Sequence, residues 1–328
     1  MVTRTSISND TLTFTTVSTS SSDFVETRTT GKSATRAIFG FGYTSVETNI
    51  TNLINVFGNV SLDTSTTGTV RYGLAAASYG FDKAIFGFGY EATTPSYYNT
   101  ITLISNVGAY VSESSGTGTA RYGLAAAGYG GDKAIFGFGF TGAKTSVTNL
   151  ISNLGVVAAD TTNASANARY DLAAAGYGGD KAIFGFGRSA GAIGARTSVT
   201  NLISNVGVVA SDVSNASANA RYGLAAAGYG GDKAIFGYGI TGTATAVSTS
   251  VTNLISNVGV VASDTTGVGT ARRYLAASGY GIDKAIFGYG TTGTNSSITN
   301  LVSNVGVVST DTTGVGTARY YLAAAGWG

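Results

Sequence analysis

Acidic and basic residues recur along the 328-residue chain at a fixed spacing. An Asp or Glu is followed eight or nine residues later by an Arg in Asp63/Arg71, Glu113/Arg121, Asp160/Arg169, Asp212/Arg221, Asp264/Arg272 and Asp311/Arg319. A second pair, Asp-Lys, stands at Asp82/Lys83, Asp132/Lys133, Asp180/Lys181, Asp232/Lys233 and Asp283/Lys284, with Arg36 in the lysine position of the first unit. Carboxylates could serve acid–base chemistry, and a ring of arginines at a channel mouth could capture an anion. A site used once would not be written six times, so a structural role is expected instead. Asp bonds backbone N–H groups in turns, and Arg bridges loops within or between units. The non-repeated acids Asp10, Asp23, Glu26, Glu47, Glu91 and Asp171 are scattered and form no paired motif of the glycosidase kind. The chain has no His and no Cys, which excludes Ser-His-Asp and Cys-His nucleophiles and His- or thiolate-ligated metals. No catalytic residue, metal or cofactor is expected, and the protein is read as non-enzymatic.

Glycine raises another possibility. "YGLAAAGYGGDKAIFGFG" at 122–139 has the glycines of a phosphate loop. Such a loop runs strand, glycine turn, helix. Here an apolar strand-like segment follows the turn, and the phrase recurs. A-I-F-G-[FY]-G begins at Ala37, Ala84, Ala134, Ala182, Ala234 and Ala285, and the L-A-A phrase contains Leu74, Leu124, Leu172, Leu224, Leu275 and Leu322. Between them runs a segment such as "SVTNLISNVGVVASDTTGVGTAR" at 250–272. Each unit reads as four short antiparallel strands: L-A-A-A-G-Y-G, A-I-F-G-F-G, V-T-N-L-I-S-N and V-V-A-S-D. Units of about 50 residues with four strands match a β-propeller blade. Strand alternation places Phe136 and Phe138 on one face, with Ile135, Gly137 and Gly139 on the other. Phenylalanines then fill the hollows left by glycines on the next blade, and the alanines line the central channel. The chain opens its first unit on a second strand and ends on an orphan first strand, "YYLAAAGWG". Joining the two gives an all-β, six-bladed propeller of four-stranded antiparallel blades over residues 37–328, closed by the C-terminal strand and leaving no free sheet edge. An open β-solenoid array is the alternative.

The unit resembles a kelch-type repeat, with the glycine pair split as G-F-G and no tryptophan in the fourth strand. Its wording, "GYGGDKAIFGYG", "TNLISNVGVV" and "DTTGVGTARYGLAAAGYG", is similar to repetitive kelch-like proteins of tailed bacteriophages. The resemblance implies a virion location and a structural or binding role in a tail, fibre or appendage, within a homo- or hetero-oligomeric assembly. A lectin-like module and an intracellular protein-interaction propeller are the alternatives. The net charge of +2 without a basic run argues against nucleic acid, and no apolar run is long enough to span a membrane. No Sec-type leader is expected from "MVTRTSISNDTLTF".

Individuality lies in the loop after the second strand, which differs in every unit and should emerge on one face. Tyr43, Tyr90, Tyr97, Tyr98, Lys144, Arg188 and Arg196 are the candidate contacts there, for a host-surface glycan or protein. The tyrosine of G-Y-G, replaced by Trp327 in the last unit, is expected to pack between blades. Residues 1–36 stand outside the repeat. They read as an arm for docking to other virion proteins, with one strand at 11–17.

Overall fold

A computed structural model describes residues 2–8, 11–17, 36–189, 195–242 and 246–328. Residues 18–35 of the arm, and 190–194 and 243–245 of two variable loops, lie outside the described residues. Among the described residues the chain is all-β, and no helix is long and apolar enough to cross a membrane. The expected strand Thr11–Val17 pairs with Val2–Ser8 as an antiparallel hairpin in register from Val2↔Val17 to Ser8↔Thr11.

The repeats fold into antiparallel sheets in a propeller-like arrangement. The first strands are Ala75–Tyr79, Ala125–Tyr129, Ala173–Tyr177, Ala225–Tyr229, Ala276–Tyr280 and Ala323–Trp327. The first five turn through Gly and Asp-Lys into a second strand, Lys83–Glu91, Lys133–Gly137, Lys181–Gly185, Lys233–Gly237 or Lys284–Gly288, and the sixth takes Arg36–Gly40 from the other end of the chain as its second strand. Third strands follow at Ser96–Ile104, Val147–Ile151, Thr200–Ile203, Thr252–Ile255, Thr299–Val302 and Ile50–Ile54. Five of these sheets run in chain order, whereas Ala323–Trp327 pairs with Arg36–Gly40, from Ala323↔Gly40 to Trp327↔Arg36.

Three of the six repeat sheets are four-stranded and three are three-stranded, and the V-V-A-S-D segment itself is mostly unpaired. Val60, Val157, Val209, Val261 and Val308 each make a single bridge to the end of the third strand. Further along, the pairing is only Thr64–Ser65, Thr161–Thr162 or a lone bridge at Val213, Thr265 or Thr312. The cause lies in the third strand. Asn52, Asn149, Asn201, Asn253 and Asn300 donate Nδ2–H to the carbonyls of Ser61, Ala158, Ala210, Ala262 and Ser309, so a side chain takes acceptors that a ladder would use. The unit with Thr102 in that position keeps a continuous fourth strand, Tyr110–Ser115, pairing Thr102 with Glu113.

Packing between sheets follows the glycines. A Cβ on Gly40, Gly87, Gly137, Gly185, Gly237 or Gly288 would lie 2.5–3.0 Å from the ring of Phe86, Phe136, Phe184, Phe236, Phe287 or Phe39 of the neighbouring sheet. The last of these contacts returns to the first sheet. The expected alternation fails at Phe138, because Gly137 ends the strand and Phe138 takes φ 65°, as do its counterparts Phe41, Phe88, Phe186, Tyr238 and Tyr289 at 63–66°. The left-handed residue turns Phe138 away from Phe136. Phe136 packs on Phe88 of one neighbouring sheet, and Phe138 on Phe184 of the other. Gly185→Ala is expected to force the Phe236 ring, whose Cζ would be 2.5 Å from the new Cβ, and to destabilise by about 1–3 kcal/mol in urea unfolding. An unchanged midpoint would contradict this packing.

Candidate functional site

The repeated arginines lie inside the protein. Arg71, Arg121, Arg169, Arg221, Arg272 and Arg319 are all fully buried, and each guanidinium sits 4.1–4.5 Å over the left-handed aromatic of the preceding unit. Arg121, Arg221, Arg272 and Arg319 donate to Oδ1 of Asn149, Asn253, Asn300 and Asn52 at 2.5–2.8 Å, and Arg169 donates to Asn201. The acid partner is not the one eight or nine residues upstream. Arg71 pairs with Glu113 at 3.2 Å, Arg121 with Asp160 at 3.8 Å, Arg169 with Asp212 at 3.5 Å and Arg221 with Asp264 at 3.7 Å, so each arginine reaches the acid of the next unit. Arg272 and Arg319 likewise feel Asp311 and Asp63. The same acids accept backbone N–H groups across the junction, Asp160 from Thr119 and Asp63 from Thr317. Burial pushes Arg71, Arg121, Arg169 and Arg221 down to about 10, and the acid charges oppose the shift where they are near. These groups cross-link the sheets and line no channel mouth.

The two ends of the first strands differ. At the Asp-Lys end, Ala76, Ala126, Ala174, Ala226, Ala277 and Ala324 border an open cavity of about 280 Å³. The lysines there are paired to their neighbouring aspartates at 2.6–3.5 Å and half exposed. At the other end, six residues close a ring of backbone hydrogen bonds at 2.7–2.9 Å. Gly123 donates to Gly73, Asp171 to Gly123, Gly223 to Asp171, Tyr274 to Gly223, Tyr321 to Tyr274 and Gly73 to Tyr321. All six have φ between 53° and 63°. Three are glycine, as the left-handed conformation favours, and the other three, Asp171, Tyr274 and Tyr321, hold a conformation that costs a non-glycine residue of order 1–3 kcal/mol.

Those three side chains crowd the axis. Tyr274 and Tyr321 stack at 3.9 Å between ring centres. The Asp171 side chain is only 1% exposed, with Arg188 Nε 3.1 Å from Oδ2. Neither carboxylate oxygen completes a hydrogen bond. Burial pushes the Asp171 carboxyl up to about 7, opposed by the Arg188 charge and the nearby Tyr321 hydroxyl. Arg188 also donates Nη2–H to the Tyr274 hydroxyl at 2.8 Å and lies 3.9 Å over the Tyr222 ring.

An aromatic crown surrounds this centre. The first residue of every variable loop bridges the residue after a repeated arginine: Tyr43 to Tyr320, Tyr90 to Tyr72, Phe140 to Tyr122, Arg188 to Tyr170, Ile240 to Tyr222 and Thr291 to Arg273. All six loops therefore start at this end. Tyr43 packs on Tyr72 and Tyr320, Tyr90 on Tyr72 and Tyr97, and Tyr97 stacks on Tyr122. Most of these rings are half-buried. Of the sequence candidates, Tyr43, Tyr90, Tyr97 and Arg188 join the crown, and Arg196 lies 6.0 Å over Tyr222. Tyr98 alternates away from Tyr97 and donates its hydroxyl to Glu91 at 2.5 Å. Lys144 ties its loop to the neighbouring one through the Ser189 carbonyl.

Sequence reasoning singled out Asp171 only as a scattered acid and missed Tyr274 and Tyr321. The signal was present: aligned on the L-A-A phrase, the preceding column reads Gly73, Gly123, Asp171, Gly223, Tyr274, Tyr321. The repeat breaks at a position that elsewhere needs glycine.

A pH dependence follows. A carboxyl raised to about 7 binds its proton more tightly in the folded state, so its contribution to stability is full below the ordinary 3.8 and is lost as pH rises towards 7. Asp63, Glu113, Asp160 and Asp311 act oppositely. Burial raises each, but hydrogen bonds from Thr and Asn side chains and the Arg charges outweigh it and hold them low, so their contribution is lost at acid pH. Between about pH 5 and about pH 8 the melting temperature should fall more for the native chain than for Asp171→Gly. Parallel curves would contradict the assignment.

Comparison of the chain with protein families and with curated proteins finds no match.

Proposed function

We propose that the chain is a six-bladed β-propeller closed by its C-terminal strand, and that it serves as a non-enzymatic binding and structural component of a tailed-phage virion. Closure is supported by two cycles that return on themselves: the phenylalanine–glycine contacts between sheets and the backbone hydrogen bonds from Gly73 round to Tyr321. The observation that carries the binding role is the crown of half-buried aromatic rings at the end where all six variable loops begin. A rigid scaffold with varied loops on one face suits recognition.

The opposite end suits assembly. The N-V-G turns, N-L-G at Leu154, leave Leu154, Val156, Val206, Val208, Val258 and Val260 more than half exposed, and Phe81 and Ile282 stand out beside the Asp-Lys turns. Exposed apolar groups of this extent favour contact with another protein. The virion role itself rests on the likeness of the repeat wording to phage kelch-like proteins, with residues 1–36 as the docking arm. Mass spectrometry of purified particles of a phage encoding the chain should detect its peptides at structural-protein abundance, and consistent absence would overturn the virion role. A lectin-like role is favoured by one further observation, the buried carboxylate among the tyrosines.

A further inference from the structure

The centre of the crown is more than a packing feature. Asp171, Tyr274 and Tyr321, with Gly73, Gly123, Gly223 and the leucine that follows each of the six, line a cavity of about 70 Å³ at the axial mouth. The Asp171 side chain is 1% exposed, its Oδ2 faces the Arg188 charge at 3.1 Å, and neither oxygen completes a hydrogen bond, which leaves acceptor capacity open at the centre. The chain could have had glycine here, as it does in Gly73, Gly123 and Gly223.

The chemistry of the centre narrows what can enter. A cation would meet the Arg188 guanidinium, whose Nε is 3.1 Å from the same carboxylate. An anion would meet Asp171. A hydrocarbon would leave the carboxylate oxygens bare. A hydroxyl group donates to a carboxylate and accepts from tyrosine and arginine. Beside it, the Tyr274–Tyr321 stack offers ring surface for the C–H groups of a flat, hydroxylated ligand. The cavity takes a pair of hydroxyls rather than a whole ring, so the body of the ligand would rest on the crown.

We infer that the axial mouth is a binding site for the hydroxyl edge of an uncharged sugar, with Asp171 as the central acceptor and Arg188 and the Tyr274–Tyr321 pair as its frame. The inference rests on reading this end as the binding face and names the ligand class for it.

Saturation-transfer NMR of the full chain with glucose, galactose, mannose, rhamnose and N-acetylglucosamine tests it. At least one sugar is expected to bind, and Asp171→Gly is expected to weaken that binding tenfold or more while keeping the melting temperature at least as high at neutral pH. Asp171→Asn keeps the shape but replaces one acceptor oxygen with a donor, and should weaken binding as much if the glycine variant fails to fold. Binding of none of the five sugars, or a loss below tenfold in a folded variant, would overturn the assignment. Failure here with the chain still present in purified particles leaves the virion role standing, so the two readings fail separately.

Discussion

Deleting residues 320–328 is expected to lower the melting temperature by about 10 °C or more, at about 2–4 °C per kcal/mol for a domain of this size or somewhat smaller. The segment supplies the whole first strand of one sheet, Ala323–Trp327, paired to Arg36–Gly40. It also removes buried Leu322, Ala323, Ala325 and Trp327, and Tyr321 from the axial hydrogen-bond ring. Truncating a buried tryptophan alone costs about 3–5 kcal/mol. Loss of the strand also leaves Arg36–Gly40 as a bare edge against solvent. A melt followed by far-ultraviolet circular dichroism checks this, since the only tryptophan is lost with the segment. An unchanged melting curve would contradict the pairing of the chain ends.

Arg221→Met should have the next largest effect. Methionine keeps an apolar stem beneath the Phe186 ring, now 4.4 Å from the guanidinium. The hydrogen bond to Asn253 and the ion pair with Asp264 at 3.7 Å are lost. Breaking one side of a buried pair costs about 3–5 kcal/mol, and the low end is expected because Asp264 keeps a 20% exposed side chain that water can reach. The urea midpoint should fall with little change in slope. Adding Asp264→Asn should restore part of the loss, giving a coupling of about 1 kcal/mol or more in a double-mutant cycle. A loss below about 1 kcal/mol for Arg221→Met would show that the arginines do not clamp the sheets.

Much of the fold was legible because its determinants repeat. Six copies of A-I-F-G and L-A-A mark paired strands, and the split phrase at the chain ends pairs Ala323–Trp327 with Arg36–Gly40. Three features were not legible for physical reasons. The fourth strand is broken by side-chain amides such as Asn149, whose bond to the Ala158 carbonyl depends on folded geometry that spacing does not display. The direction of Phe138 depends on a left-handed backbone that strand periodicity assumes away. Spacing left open whether the arginines bridge within or between units, because sequence distance does not show that Arg169 meets Asp212 across a sheet junction.

The candidate site was legible only in part. Tyr43, Tyr90, Tyr97 and Arg188 were found because they lie in loops that vary. Asp171 stood out as a non-repeated acid with no paired carboxylate to give it a role, and Tyr274 and Tyr321 lie in a column where the repeat fails. The consequence of that failure, three side chains on a left-handed ring at the axis, needs the backbone angles to be seen.

Ring closure is the claim on which the crown, the axial mouth and the two unlike ends all depend. Residue-resolved hydrogen exchange of the full chain tests it without perturbing the molecule. If the ends close the ring, amides of Ala323–Trp327 exchange through global unfolding, with protection within about tenfold of that in Ala225–Tyr229, which sits mid-chain. Exchange in Ala323–Trp327 at rates orders of magnitude faster, as for a fraying terminal strand, would contradict closure.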